Sequence, residues 1–191
     1  MIPSDSPRFL LFPAVAFLLP GILFAAPAAR VCVEAETAAV IEEPFYKVTA
    51  DAVPDGTSFV KGASGDSYLE IPEGRGNPPK VETGRAELVV DVPRDGAYLL
   101  WARVWWEGEC GNSLRIQVDG GAPFLFGEDG TFQSWHWVKY PVARTAKPLQ
   151  LKKGPCTLVF LNNEDGVRID QVVLCADRRW VPVDIEPVTA P

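Results

Sequence analysis

Apolar and polar residues alternate with a period of two along much of the chain. In RAELVVDV (85–92), Ala86, Leu88, Val90 and Val92 share one face, and Glu87, Val89 and Asp91 share the other. SLRIQVDGG (113–121) sets Leu114, Ile116 and Val118 against Arg115 and Gln117. Runs of this kind, bounded by PRDG, VDGG and NNEDG, predict half-buried antiparallel strands joined by turns. Similar runs predict strands at 31–36, 67–71, 97–106, 132–140, 147–151, 156–162 and 167–175. No segment of ten or more residues carries a helical stripe, and 18 prolines interrupt most windows. The pattern predicts an all-β protein, a β-sandwich of about eight to ten antiparallel strands in two sheets.

The first 28 residues break this pattern. Arg8 precedes an apolar run from Phe9 to Ala26, followed by Ala26-Pro27-Ala28. That layout predicts a secretory signal peptide over 1–28, hence a secreted, periplasmic or cell-surface protein with no membrane insertion after cleavage. The sandwich is expected over 29–176 and a surface tail over 177–191. A formal net charge of −7, with basic residues scattered and Lys152-Lys153 and Arg178-Arg179 as isolated pairs, argues against nucleic acid as a partner. One domain of this size is expected to be a monomer. The four cysteines, Cys32, Cys110, Cys156 and Cys175, form no C-x-x-C pair, so an exported chain points to two disulfides rather than to zinc.

Several stretches occur together in order: VEAE, ASGDSYLEIPEG, DVPRDGAYLLWARVWW, CGNSLRIQVDGG, SWHWVKY, LKKGPCTLVFLNNEDG and RIDQVVL. Their order and spacing resemble carbohydrate-binding modules of the family 6 and family 35 type, within the galactose-binding-like jelly rolls. The resemblance covers about residues 31–176. It implies a jelly roll that binds a poly- or oligosaccharide without cleaving it, with a structural calcium between its first and last strands. The calcium position maps onto Glu34, Glu36 and Asp170. Read from the residues alone, Glu34 and Glu36 lie two apart on a strand and share a face. They are either a solvated edge or ligands of a hard, oxygen-seeking cation.

If the first and last strands pair, Glu36 falls opposite Asp170 and Cys32 opposite Leu174, one residue away from Cys175. A bulge would reconcile the metal with a Cys32–Cys175 disulfide. If the strands at 97–106 and 156–162 pair, Cys110 and Cys156 also meet. Cys32–Cys175 and Cys110–Cys156 are the expected disulfides.

A glycan site needs aromatic rings for the apolar sugar face beside amides and charged groups for the hydroxyl rim. In SWHWVKY, Trp135 and Trp137 share a face with Lys139, while His136, the one histidine of the chain, points the other way. Two tryptophans on one face read first as packing and second as a platform. NNEDG is good turn chemistry, compatible with ligand contact. The glycan-binding candidates are Trp105, Asn112, Phe132, Trp135, His136, Glu164, Asp165 and Arg168. The Gly- and Pro-rich loop 72–83 is a further candidate to shape a site. No G-x-S-x-G, H-E-x-x-H or P-loop pattern occurs. Acids are plentiful enough that their presence alone does not indicate a glycosidase, so no catalytic residue is expected. The alternative function is a structural or protein-interaction domain of the cell envelope on the same fold, without sugar binding.

Overall fold

The computed structural model describes residues 29–76, 84–143 and 146–189, so the expected signal peptide over 1–28 and residues 77–83 of the 72–83 loop lie outside the described residues. Among the described residues, twelve strands form two antiparallel sheets. They are β1 (Arg30–Glu34), β2 (Val40–Ile41), β3 (Tyr46–Thr49), β4 (Ser67–Ile71), β5 (Arg85–Val92), β6 (Gly96–Trp106), β7 (Ser113–Val118), β8 (Phe124–Gly127), β9 (His136–Tyr140), β10 (Leu149–Leu151), β11 (Gly154–Leu161) and β12 (Val167–Cys175). The sequence pattern anticipates nine of these; β2, β3 and β8 are additional.

The larger sheet has β6 and β12 as its spine. β12 runs along one edge of β6, and the other edge of β6 is shared by β9 and β10. The far edge of β12 is likewise split: β4 takes Val167–Ile169 and β1 takes Gln171–Cys175. The smaller sheet runs β2-β5-β11-β7-β8. Alternation is what packs them together. Ala86, Leu88, Val90 and Val92 of β5 meet Tyr98, Leu100, Ala102, Val104 and Trp106 of β6 in one core, with Phe45, Phe126 and Phe160 among its largest fully buried side chains.

The register corrects two sequence expectations. Glu36 is not on the first strand but in a single 3-10 turn (Ala35–Thr37), and Glu34, rather than Glu36, ends β1, opposite Gln171. A bulge does occur in β12, between Ile169 and Gln171. Ile169 and Val172 both enter the core, so Asp170 and Gln171 lie between two inward residues, on the outer face.

All four cysteines are free. Cys32 stands opposite Val173, so Cys175 is its diagonal neighbour on the same face. Diagonal positions lie roughly 7–8 Å apart, too far for an S–S bridge without backbone movement. The second expected pair fails because β6 and β11 belong to different sheets. Cys156 faces the core opposite Val90, whereas Cys110 is exposed in the loop after β6. Burial pushes the thiols of Cys32 and Cys156 up to about 12 and raises that of Cys175. Buried, protonated thiols are unreactive. Ellman titration is therefore expected to find one reactive thiol, Cys110, in the native protein and four after denaturation. A native count of zero, with two disulfides recovered by peptide mapping, would reinstate the bridges.

Candidate functional site

The outer face of the larger sheet is not open to solvent along its length. Leu99, Trp101, Arg103 and Trp105 alternate along β6 on this face, and three different covers lie over them. At the Leu99 end, Trp101 packs with Cys32, Val173, Cys175, Trp137 and Trp180 beneath the C-terminal tail. Trp137 Nε1 donates to Asp184 O at 2.8 Å, and Glu186 and Gln171 exchange hydrogen bonds at 2.9 Å in both directions.

At the middle lies a polar layer. Arg103, 7% exposed, donates through Nη1 to Asp170 Oδ2 and to Gly62 O, and its guanidinium lies 5.4 Å from the Trp135 ring centre. Asp170 is fully buried, and its Oδ1 accepts from Ser64 N at 2.9 Å. Glu34 Oε1 accepts from Ser64 Oγ at 2.6 Å and from Gln171 Nε2 at 3.2 Å. Glu34 Oε2 and Glu36 Oε2 are buried with no hydrogen-bond partner among the described residues. Burial foremost, with Glu34 and Asp170 adding to it, pushes the Glu36 carboxyl up to about 7. Burial likewise lifts Asp170 to about 6 despite Arg103.

The raised Glu36 carboxyl makes the stability of the fold depend on pH. Below 4.5 both folded and unfolded forms hold the proton, so nothing is lost. As pH climbs from 4.5 towards 7 the unfolded chain ionises first, and the folded form is progressively disfavoured; the loss is complete above about 7. An elevation of that size corresponds to about 3 kcal/mol. Chelator-treated protein is therefore expected to unfold at lower urea at pH 7.5 than at pH 5, and Glu36→Gln should reduce the difference without abolishing it, because burial also raises the Asp170 and Glu70 carboxyls.

At the far end the cover opens into a cleft of about 430 Å³. Trp105 and Glu107 enter it from the end of β6, Arg168 from β12, Glu73 from the loop after β4 and Gln133 from the segment before β9, while Gly56–Ser58 and Val60 form the opposite lip. The lip is held by a chain of aromatic contacts: Phe59 stacks on Tyr68 at 5.7 Å, and Trp135 meets Tyr68 and Trp105 edge-on at 5.6 and 5.8 Å. Tyr68 Oη accepts from Val60 N at 2.9 Å, and Trp135 Nε1 donates to Lys61 O at 3.0 Å. Gly62 turns the lip at φ +92°, a left-handed conformation that glycine adopts without strain.

Arg168 is clamped from two sides. Nη1 donates to Glu107 Oε2 at 2.8 Å, and Nη2 lies 2.8 Å from Glu70 Oε1, a close ion pair without hydrogen-bond alignment. Burial raises the Glu70 carboxyl, with Arg168 opposing. Burial, with Asp165 and Glu107 adding, raises that of Glu73. Trp105 is half-buried, and its Nε1 has no hydrogen-bond partner among the described residues.

The structure therefore brings Trp105 and Arg168 into one cleft and places the other candidates elsewhere. Trp135 buttresses Trp105 from behind. Phe132 packs against the core. Glu164 is spent on Asn112 N (3.1 Å) and Ser113 Oγ (2.7 Å), while Asn112 Nδ2 donates to Asp129 O at 3.1 Å. Asp165 is buried and accepts from Gly76 N at 3.1 Å. These three residues pin loops together. His136 lies on the other side of the sheet, where Nε2 faces Asp129 and Nδ1 lies 2.9 Å from Ser134 O; it lines a separate cleft of about 480 Å³ with Trp137 and Lys139. Glu70, Glu73 and Gln133 lie in stretches the sequence pattern marks, but nothing there points to a cleft, and the Gly56–Val60 lip carries no periodic or motif signal.

No family model matches the chain, and no curated protein matches it. Solved structures do. A GH26-CBM35 β-(1,4)-mannanase of Podospora anserina superposes with a TM-score of 0.57 at 20% identity, covering 83% of this chain and 30% of the mannanase. An exo-β-1,3-galactanase of Phanerochaete chrysosporium, solved with galactose, gives 0.54 at 14% identity, over 77% of this chain and 29% of the galactanase. A family 35 carbohydrate-binding module of Clostridium thermocellum gives 0.52 at 18% identity, over 76% of this chain and 98% of the module. The chain thus spans less than a third of the two enzymes but nearly the whole of the module. The fold is a two-sheet antiparallel β-sandwich. More narrowly, it is a jelly roll of the type seen in that family 35 carbohydrate-binding module.

Proposed function

We propose that this protein binds a glycan, without cleaving it, in the cleft floored by Trp105. The observation that carries this reading is a half-buried indole presented at the base of an open cleft, ringed by Glu73, Glu107, Gln133 and Arg168. The indole offers a stacking surface, and the polar ring offers acceptors and donors for hydroxyl groups. Binding is favoured over hydrolysis because, of the two acids lining the cleft, Glu73 and Glu107, the second is held by Arg168, so they do not form a free pair across a sugar bond. The mannanase and galactanase neighbours make neutral β-linked mannan and galactan the first ligands to test.

Affinity electrophoresis in gels containing these polysaccharides should retard the wild type. Trp105→Ala should weaken that retardation about tenfold or more, equivalent to about 1.4 kcal/mol. Wild-type protein that migrates freely through every polysaccharide, with calcium present, would favour the structural or interaction role instead.

We also propose that Glu34, Glu36 and Asp170 hold a calcium ion. In support, two buried carboxylate oxygens, Glu34 Oε2 and Glu36 Oε2, lack partners, and hard carboxylate oxygens suit calcium. Against a ready-made cage, no cluster of three or more His, Cys, Asp or Glu at metal-ligand spacing occurs among the described residues. Asp170 is engaged by Arg103, so the ion would share it. Bound calcium would neutralise the buried acids and tie β1 to β12. Millimolar calcium is expected to raise the melting temperature by several degrees, and Glu36→Gln should remove most of that rise; equal effects of calcium and magnesium would count against the site.

A further inference from the structure

The charges around the Trp105 cleft do not balance. Glu73 and Glu107 line it against one cation, Arg168, and the facing lip of Gly56–Ser58 and Val60 adds no charge. That cation is already shared. Its Nη2 pairs with Glu70, 1% exposed on the neighbouring β4, and its Nη1 with Glu107 Oε2. Three carboxylates therefore divide one guanidinium, and Glu70 Oε2 has no hydrogen-bond partner among the described residues. Arg75, two residues after Glu73, is turned to Tyr46 Oη and Asp55 O and does not line the cleft; nor does Lys61 beside the lip.

The two lining acids lie close together. A Cβ at Gly166, where φ is +70°, would meet Glu73 Oε2 at 2.5 Å and Glu107 Cβ at 2.9 Å, so both side chains crowd over one glycine. Glu73 is exposed, with Asp165 and Glu107 acting on it as like charges and Arg168 as the opposing cation. Like charges gathered in a concave surface favour a ligand of the opposite sign. The indole of Trp105 adds the aromatic face that attracts a cation most strongly. An ammonium also brings three donors, and its bonds to carboxylates are stronger than those of a hydroxyl. Gln133 supplies an amide to the same cleft from a left-handed backbone (φ 50°), pinned by its N donating to Trp106 O at 2.9 Å.

We propose that the Trp105 cleft selects a glycan with free amino groups, a glucosamine-type sugar whose ammonium meets Glu73 and Glu107 while its ring stacks on Trp105. This rests on the glycan reading of the cleft and names the sugar class within it. The same charge turns away uronic and sulfated sugars.

The test is a calorimetric titration of the folded protein at about pH 6, where the sugar amines are protonated, with amide chemical shifts to locate the site. The probes are the glucosamine tetramer, its fully N-acetylated counterpart, mannotetraose, the galacturonic acid tetramer and spermine. The glucosamine tetramer should bind at least tenfold more tightly than the N-acetylated tetramer or mannotetraose, and the galacturonic acid tetramer more weakly than either. Glu73→Gln should weaken glucosamine binding at least fivefold, with mannotetraose binding and melting temperature unchanged. Trp105→Ala should weaken all of these sugars. Asp95→Asn removes an exposed acid paired with Lys152 outside the cleft and should change nothing, which separates the cleft from the general pull of a net charge of −7 on a cation. The proposal is overturned if the N-acetylated tetramer or mannotetraose binds as tightly as the glucosamine tetramer, if spermine does so with the same shifts, or if Glu73→Gln binds normally. Mannotetraose binding that persists in those cases keeps the glycan reading and removes only this inference. No binding of any of the four sugars removes both.

Discussion

Truncating Arg103 to alanine is expected to cost the fold about 3–5 kcal/mol, the penalty for breaking a buried ion pair from one side. Arg103 and Asp170 are 7% and 0% exposed, so little water is on hand to solvate the aspartate left behind. The loss also strips Gly62 O of its donor and takes the guanidinium from above Trp135, loosening the lip of the Trp105 cleft. Because Glu34 and Glu36 lie in the same layer, the variant would gather three acids without a cation. Calcium should therefore rescue Arg103→Ala more than it stabilises the wild type. Paired replacement, Arg103→Met with Asp170→Leu, should be much milder, since no charge is left unpaired. Urea unfolding with and without calcium measures all three, and an Arg103→Ala loss below about 1 kcal/mol would show that the pair is not buried as described.

Trp106→Ala should be about as severe, at roughly 3–5 kcal/mol, through a different cause. Trp106 is fully buried, fills the core at the end of β6 and donates Nε1 to Asp129 Oδ2 at 3.2 Å. His136 meets its ring edge-on at 6.1 Å and also faces Asp129. The segment between β8 and β9 contains two left-handed non-glycine residues, Glu128 (φ 62°) and Gln133 (φ 50°), and these contacts hold it in place. Removing the indole opens a cavity and releases that hold together. Its neighbour Trp105 faces the cleft, so Trp105→Ala should cost binding rather than stability. Urea midpoints of the two variants check the contrast, and equal losses would mean that Trp105 is a core residue.

The contrast between these adjacent tryptophans was legible in the sequence. Alternation along 97–106 assigns Trp106 to the core face and Trp105 to the other, and the structure agrees. The strands at 85–92, 67–71 and 167–175 also fall where the pattern puts them. Pairing between distant strands was not legible, because period two fixes which face a residue takes but not which strand lies beside it. That is why Cys110 and Cys156 were expected to meet although β6 and β11 lie in different sheets. The bulge at Asp170 hid the register of β1 for a related reason: one extra residue leaves no mark on composition. The cleft was half legible, since Trp105 and Arg168 sit on strands, while its opposite lip is loop without a period. The convergence of Glu73 with Glu107 needs the fold itself, as the two acids follow different strands, β4 and β6.

The divided edge of β12 has a mechanical meaning. Arg30 pairs with Cys175, so the outer ends of β1 and β12 emerge side by side. Tension applied between them would pull the ladder apart rung by rung, an unzipping geometry, and β1 would peel only as far as Glu34, because beyond the bulge β12 is paired to β4 instead. The tail opposes this peeling. Thr189 N donates to Cys32 O and Cys32 N to Thr189 Oγ1, while Glu186 engages Gln171 and lies 4.0 Å from Arg30. The segment after β12 thus folds back across the first rungs and acts as a clasp, so that a pull on the chain flanks must open the clasp before it reaches the sheet.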